Sequence, residues 1–380
     1  MRTPLAVALG LAAAVLAGCA GTAAPAAEAS RTGSSSKPVT SAPRPATSSR
    51  PAPAPAAEPD PTTLTMAFAG DVHFEDYLAS LARDPHGLEE LRSTLGAADL
   101  AVVNLETAIT ERGTKIGKEF HFRAPASALQ TVAGAGVDAV SLANNHGVDY
   151  GPVGLRDTLA AKRSSSIPVV GIGADEDEAF APAVLRAKGL QVALFGADQV
   201  FEMTLARYSA GPGRAGVASS SPVTRLRAAV QRAATKYDLV VVFLHWGTDY
   251  QQCPDQLSVQ TAHALEAAGA DIIVGGHSHR VNGAGWLGSA YVDYGLGNFV
   301  WWRSHEPDSR SGVLTLSVGV EAARGTKRAK APVVRDAVWT PMLIGSDGIP
   351  REPSAKDAKR LHRLWEQARG CTGLAGEPGA

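Results

Sequence analysis

Side chains able to hold a cation or move a proton recur at five places: Asp71 and His73, Glu106, Asn145 with His146, His245, and His277 with His279. Each stands just behind a short apolar run: Gly70-Asp71-Val72-His73, Asn104-Leu105-Glu106, Asn144-Asn145-His146, His245-Trp246-Gly247 and Gly275-Gly276-His277-Ser278-His279. Taken singly, every one has an ordinary reading. Asp-x-His after a glycine is more often a turn, Asn is a turn former and Glu a common surface residue. Two imidazoles flanking one small residue on a glycine-opened loop are more telling, because they can reach adjacent metal ions. Recurrence of such groups after five separate apolar runs points to one shared site rather than five unrelated turns.

A set of β-rich runs alternating with helical patterns must position these groups. Strand-like runs begin with TLTMAFAG at Thr63 and recur at Leu100 to Val103, Ala139 to Leu142, Pro168 to Gly171, Val192 to Phe195, Leu239 to Leu244 and Asp271 to Val274. Helical periodicity marks Val153 to Ala161, Thr224 to Lys236 and Asp255 to Ala268, the last closing at Gly269. Strands alternating with helices predict sheets covered by helices. In such sheets ligands bind beyond the carboxyl ends of the strands, which would gather the five motifs on one rim. Towards the end, Gly312 to Val320 and Pro332 to Leu343 read as strands. A helix follows, with Ser354 as N-cap, Leu361, Leu364, Trp365 and Ala368 on one face, and Gly370 as its stop.

In this order the motifs resemble the calcineurin-like metallophosphoesterase superfamily. The strings GDVH, NLE, LANNHGVDYG, HWGTDY, GADIIVGGHSHR and YGLGNFVW resemble its poly-γ-glutamate capsule biosynthesis (CapA-type) branch, over about Thr63 to Trp302. The resemblance implies an α/β fold, a metallophosphatase-like αββα sandwich of two mixed sheets flanked by helices. It also implies two divalent metal ions. Asp71, His73 and His279 would hold the first, Asn145, His245 and His277 the second, with Glu106 bridging. Oxygen and nitrogen donors without thiolate suit Mn, Fe or Zn. His146 would serve as the acid-base group, Asp149 would orient its imidazole or merely shape the turn before Gly151, and Arg123 would anchor a substrate carboxylate or phosphate. Glu stands at position 106 where phosphoesterases usually carry Asp, and Asn144 where they carry Gly. Both departures match the capsule branch and weaken the case for routine phosphate-ester hydrolysis.

The ends of the chain carry a different message. Arg2, the apolar run Leu5 to Leu16 and Leu16-Ala17-Gly18-Cys19 read as a lipoprotein signal peptide over residues 1–18, with lipidation at Cys19. The run is too short to span a bilayer, which takes roughly 20 apolar residues. Residues 19–62, rich in Ala, Pro and Ser and without aromatic side chains, are expected to be a disordered tether. Residues 63–305 would be the metal-binding domain, and 306–380 strands and a helix packed on it. With Cys19 spent on lipid, Cys253 and Cys371 remain as an even pair in an oxidising compartment and are expected to form a disulfide. A formal net charge of -1 favours neither nucleic acid nor an acidic membrane as a partner. The expectation is an extracytoplasmic, lipid-anchored protein of envelope polymer metabolism. Its partners would be an acidic or peptide polymer and a synthesis or export complex. The alternatives are a metal-dependent phosphoesterase and a non-catalytic scaffold in an export complex.

Overall fold

In the computed structural model, residues 62–324 and 333–378 are described, all within the compact unit Glu58–Ala380. The signal peptide, Cys19 and the tether expected over 19–62 lie outside the described residues, save Thr62, as does Pro332 of the strand expected from there. Chain order gives fourteen strands that matter here. They are β1 (Thr63–Val72), β2 (Leu100–Leu105), β3 (Ala139–Ser141), β4 (Val169–Val170), β5 (Ala183–Ala187), β6 (Leu190–Asp198) and β7 (Leu239–Trp246), then β8 (Ile272–His277), β9 (Ala284–Leu287), β10 (Ala290–Asp293), β11 (Asn298–Val300), β12 (Arg310–Gly319), β13 (Val334–Ile344) and β14 (Pro350–Arg351). The longer α-helices are α1 (Ala128–Gly134), α2 (Gly151–Ser164), α3 (Thr224–Ala234), α4 (Gln256–Ala268) and α5 (Ala355–Arg369).

Among the described residues two large mixed sheets form. The first runs β14-β13-β12-β1-β2-β3-β4 with β11 beside the end of β1, and the second β9-β10-β8-β7-β6-β5. Strands β1 to β4 are parallel, as are β6, β7, β8 and β10, while β12 enters antiparallel to β1. Strands buried on both faces need apolar side chains at every position, which is why β2 and β7 read as near-continuous Val and Leu runs. Alternation decides which layer each side chain joins. Met66, Phe68 and Val102 of the first sheet share one core with Leu194, Val241, Phe243 and Val274 of the second. Ala67 and Val103 face the opposite way, onto Val132 of α1 and Leu155 and Leu159 of α2. Val240 and Val242 meet Leu226 and Val230 of α3 and Leu265 of α4. The result is the αββα sandwich expected.

Local chemistry fixes the ends of the elements. Asp255 caps α4 by accepting a hydrogen bond from the Ser258 N–H, and Gly269 closes it at φ 97°, a left-handed conformation that suits a residue without Cβ. Ser354 caps α5 through the Asp357 N–H. Its apolar face buries Leu361, Trp365 and Ala368, with Trp365 stacked on Trp339 of β13 at 5.6 Å between centroids. Cys371, just past α5, is joined to Cys253 by a disulfide across 118 residues of sequence.

Candidate metal centre

Each candidate donor leaves the carboxyl end of a strand, and the pairing register brings the ends together. Asp71 stands opposite Asn104 of β2 and Asn298 of β11, while His245 and Trp246 of β7 stand opposite Gly276 and His277 of β8. β1 and β2 belong to one sheet and β7 and β8 to the other, so the cluster straddles the sandwich. Backbone conformation contributes as well: His277 and His279 adopt φ 88° and 52°, left-handed values that are unusual away from glycine. Strain of this kind gathers where a side chain must be aimed rather than relaxed. Gly276 is needed for space, because a Cβ there would lie 2.3 Å from Asp71 Oδ1.

The donors converge. Ligand atoms of Asp71, Glu106 and His245 all lie within 4.8 Å of one another. His245 Nε2 is 2.9 Å from Asn145 Oδ1 and 3.7 Å from Glu106 Oε1. His277 packs its ring 4.8 Å from that of His245, and its backbone N–H donates to Asp71 Oδ2 at 3.0 Å. His279 Nδ1 is 3.6 Å from Asp71 Oδ2 and 2.8 Å from Asn298 Oδ1. Asn104 donates to Asp71 Oδ1 at 2.8 Å, and Asn144 in turn donates to Asn104 Oδ1 at 3.1 Å. Asp71, Glu106, Asn145, His245, His277 and His279 are thus linked in one largely buried cluster, with asparagines setting the orientation of Asp71.

Whether a cation fits is decided by the unpartnered atoms. Both oxygens of Glu106, His73 Nε2 and His277 Nδ1 are buried with no hydrogen-bond partner among the described residues. Burial drives the imidazoles of His73, His146 and His245 well below their ordinary range, with neighbouring cationic groups adding to it, and pushes His277 down to about 3. Burial, then the Asp71 charge, pushes Glu106 well above the usual carboxylate range. Neutral imidazoles beside a buried carboxylate whose oxygens have no hydrogen-bond partner are what a divalent cation stabilises. The donor set fits metal ions held by oxygen and nitrogen.

His146 and Asp149 form a dyad. Asp149 Oδ2 lies 2.6 Å from His146 Nδ1 and accepts from the Phe122 N–H at 2.7 Å; burial pushes this carboxyl up to about 6, against the pull of Lys118. The other ring nitrogen, His146 Nε2, faces Glu106 Oε1 at 3.6 Å. Phe122 is sandwiched between the rings of His73 and His146, at 4.5 and 3.9 Å, and the edge of Trp301 closes on His73 at 4.2 Å.

Three contributors escape sequence reasoning. Lys118, its side chain almost fully buried, donates to the Asn145 carbonyl at 2.7 Å and lies 3.0 Å from both Asp149 Oδ1 and Glu202 Oε1. Thr204 donates to the same carbonyl. Asn298 was visible only as part of the string YGLGNFVW. The cluster opens through a cleft of about 210 Å³ lined by Lys118, Phe122, His146, His279, Trp301 and Arg303 among others. Arg123, expected to anchor an anion, does not line it. Its guanidinium lies over the Tyr150 ring at 4.8 Å and borders a separate depression with Arg83 and Glu111. Arg303 is the guanidinium on the cleft, 3.2 Å from both the Tyr250 hydroxyl and Asp308 Oδ2.

Known proteins share much of this chain. Capsule biosynthesis protein CapA of Bacillus anthracis is 28% identical over 255 residues, 64% of this chain and 62% of that protein. PGA biosynthesis protein CapA of Bacillus subtilis (strain 168) is 27% identical over 253 residues, 64% of this chain and 66% of that protein. The chain thus spans slightly less than two thirds of the length of each. Among solved structures, the Thermus thermophilus sulfate thiohydrolase SoxB aligns over 81% of this chain and 61% of its own, at a TM-score of 0.45 and 14% identity. The 5'-nucleotidase of Candida albicans aligns over 81% and 58%, at 0.42 and 12%. The family described as bacterial capsule synthesis protein PGA_cap matches residues 65–301, which hold every candidate donor and the His146 dyad. By that match, across more than half of its length, the chain belongs to the bacterial capsule synthesis protein family.

Proposed function

We propose that this protein is a metal-dependent hydrolase of capsule biosynthesis, acting on an amide-linked acidic polymer of the poly-γ-glutamate type and held at the cell surface by lipid on Cys19. One observation carries the chemistry: Glu106 is buried with both oxygens unpartnered, amid Asp71 and imidazoles kept neutral. The names of the Bacillus relatives, which concern capsule and PGA biosynthesis, support the substrate class. Asp71, His73 and His279 would hold one ion, Asn145, His245 and His277 a second, and Glu106 both. When bound, such a pair polarises a carbonyl and makes a water acidic enough to ionise near neutral pH.

The chain's own groups would do the rest. With its Nδ1–H held by Asp149, His146 presents the Nε2 lone pair to the cleft, where it can take a proton and return it to a departing amine. Lys118 fixes the Asn145 carbonyl and balances the Asp149 charge. Phe122, Trp301 and Trp302 pack against the His73 ring at 4.5, 4.2 and 4.8 Å between centroids and hold it in place. Elemental analysis of the purified full chain should find a transition metal, and incubation with poly-γ-glutamate should shorten the polymer, with His146→Ala slowing cleavage by about 10²–10⁴. Turnover of an aryl phosphate with intact poly-γ-glutamate would overturn this reading in favour of a phosphoesterase.

A further inference from the structure

Beyond the metal cleft lies a second groove, of about 360 Å³, and the two share one lining residue, Tyr250. Tyr250 is 44% exposed and adopts φ 62°, with its backbone N–H donating to the Ser278 carbonyl at 2.8 Å. Arg280 lies over its ring at 4.9 Å on the groove side, and Arg303 at 5.9 Å on the cleft side. One wall of the groove is the loop carrying Tyr250 and Gln252, and the other is α5 with Leu361, Leu364 and Trp365. The Cys253–Cys371 disulfide ties the loop to the end of α5, and the Asn282 amide donates to the Gln252 carbonyl at 2.8 Å. Both walls are therefore fixed in place. The α5 wall lies outside residues 65–301 that define the family match.

We infer that this groove is a distal subsite for the same substrate, and that an extended polyamide bearing carboxylates runs from the metal cleft over Tyr250 into it. The inference rests on the reading of the cleft proposed above. Trp339, Trp365, Leu361 and Leu364 offer an apolar bed for the methylenes of such a chain. Guanidinium groups stand at its edges. Arg280 and Arg310 line the groove beside Glu306; Arg280 and Arg303 share Asp308, and Arg310 and Arg360 share Glu306. Glu306 itself lines the groove, but Arg310 Nε and Arg360 Nη1 bind its Oε2 at 2.7 and 2.8 Å. Guanidiniums keep donors free beyond one carboxylate, so they can serve substrate carboxylates as well.

The test compares affinity for a γ-glutamyl dipeptide and for long poly-γ-glutamate, using the metal-loaded full chain and reading binding within times too short for appreciable cleavage. The long polymer should bind at least about tenfold more tightly per chain end. Leu364→Glu, which places a negative charge on a half-buried groove edge, should bring the polymer down to the dipeptide's affinity. Leu364→Met, with unchanged melting, should keep the gain. Equal affinity for both lengths in the wild type would overturn the groove while leaving the cleft reading intact, as would a Leu364→Glu variant that retains the gain. A neutral polyamide of the same length binding as tightly would overturn the acidic assignment. Binding of neither length by metal-loaded protein would remove both this inference and the reading of the cleft.

Discussion

At Glu106 the cost of the site is concentrated, since a carboxylate without hydrogen bonds inside the fold is stabilised only by a cation. Adding Mn²⁺ or Zn²⁺ to stripped protein, at about 100 times its Kd, should therefore raise unfolding free energy by about 2.7 kcal/mol for each ion bound. Glu106→Gln should be no less stable than wild type in the stripped state at neutral pH and should gain much less from the ion. Denaturant titration with and without EDTA reads both, and an equal gain in the two proteins would show that the ion sits elsewhere. The clustering of the candidate donors was legible in the sequence because each is part of a short string ending an apolar run. Lys118 was not, because Lys115 and Lys118 look alike in a loop and only the fold buries one of them against Asn145 and Asp149. Arg123 misled for the converse reason: Phe122, its neighbour, reaches the site, and the alternation of the short pairing Ala108–Ile109 with Arg123–Ala124 turns the guanidinium outward.

Long strands with continuous apolar runs, such as β1 and β7, could be read directly, as could α4 from its aspartate and glycine ends. The hairpin of β9 and β10 could not, since each strand has four residues and the pattern is broken by Gly285 and Gly288. That hairpin carries an electrostatic feature of its own. Asp293, at the end of β10, is fully buried, accepts one hydrogen bond from the Gly295 N–H, and is pushed by burial up to about 8. An unfolded aspartate gives up its proton near pH 3.9, so between roughly 4 and 8 the folded state binds the extra proton. The stability contributed by neutral Asp293 is thus present below about pH 4 and lost as pH rises towards 8. Asp293→Asn should flatten this slope in urea unfolding followed from pH 5 to 8, and an unchanged slope would show that the charge is accommodated.

Over the whole molecule, the layered architecture was legible from alternating strands and helices, but the place of the C-terminal strands was not. β12 lies beside β1 although about 250 residues separate them, a pairing that only tertiary packing can select. The disulfide acts at the same range. Replacing Cys253 and Cys371 by serine should lower unfolding free energy by roughly 2–4 kcal/mol, since the link constrains a long loop of the unfolded chain. Equal denaturant midpoints in the two proteins would refute a stabilising role. The division of donors between the sheets has a consequence for dissection of the chain. A fragment ending after α2 keeps Asp71, His73, Glu106 and Asn145, whereas His245, His277 and His279 remain with the other piece. Neither portion alone carries all seven candidate donors, so recovery of tight ion binding on mixing the two would report reassembly of the sandwich itself.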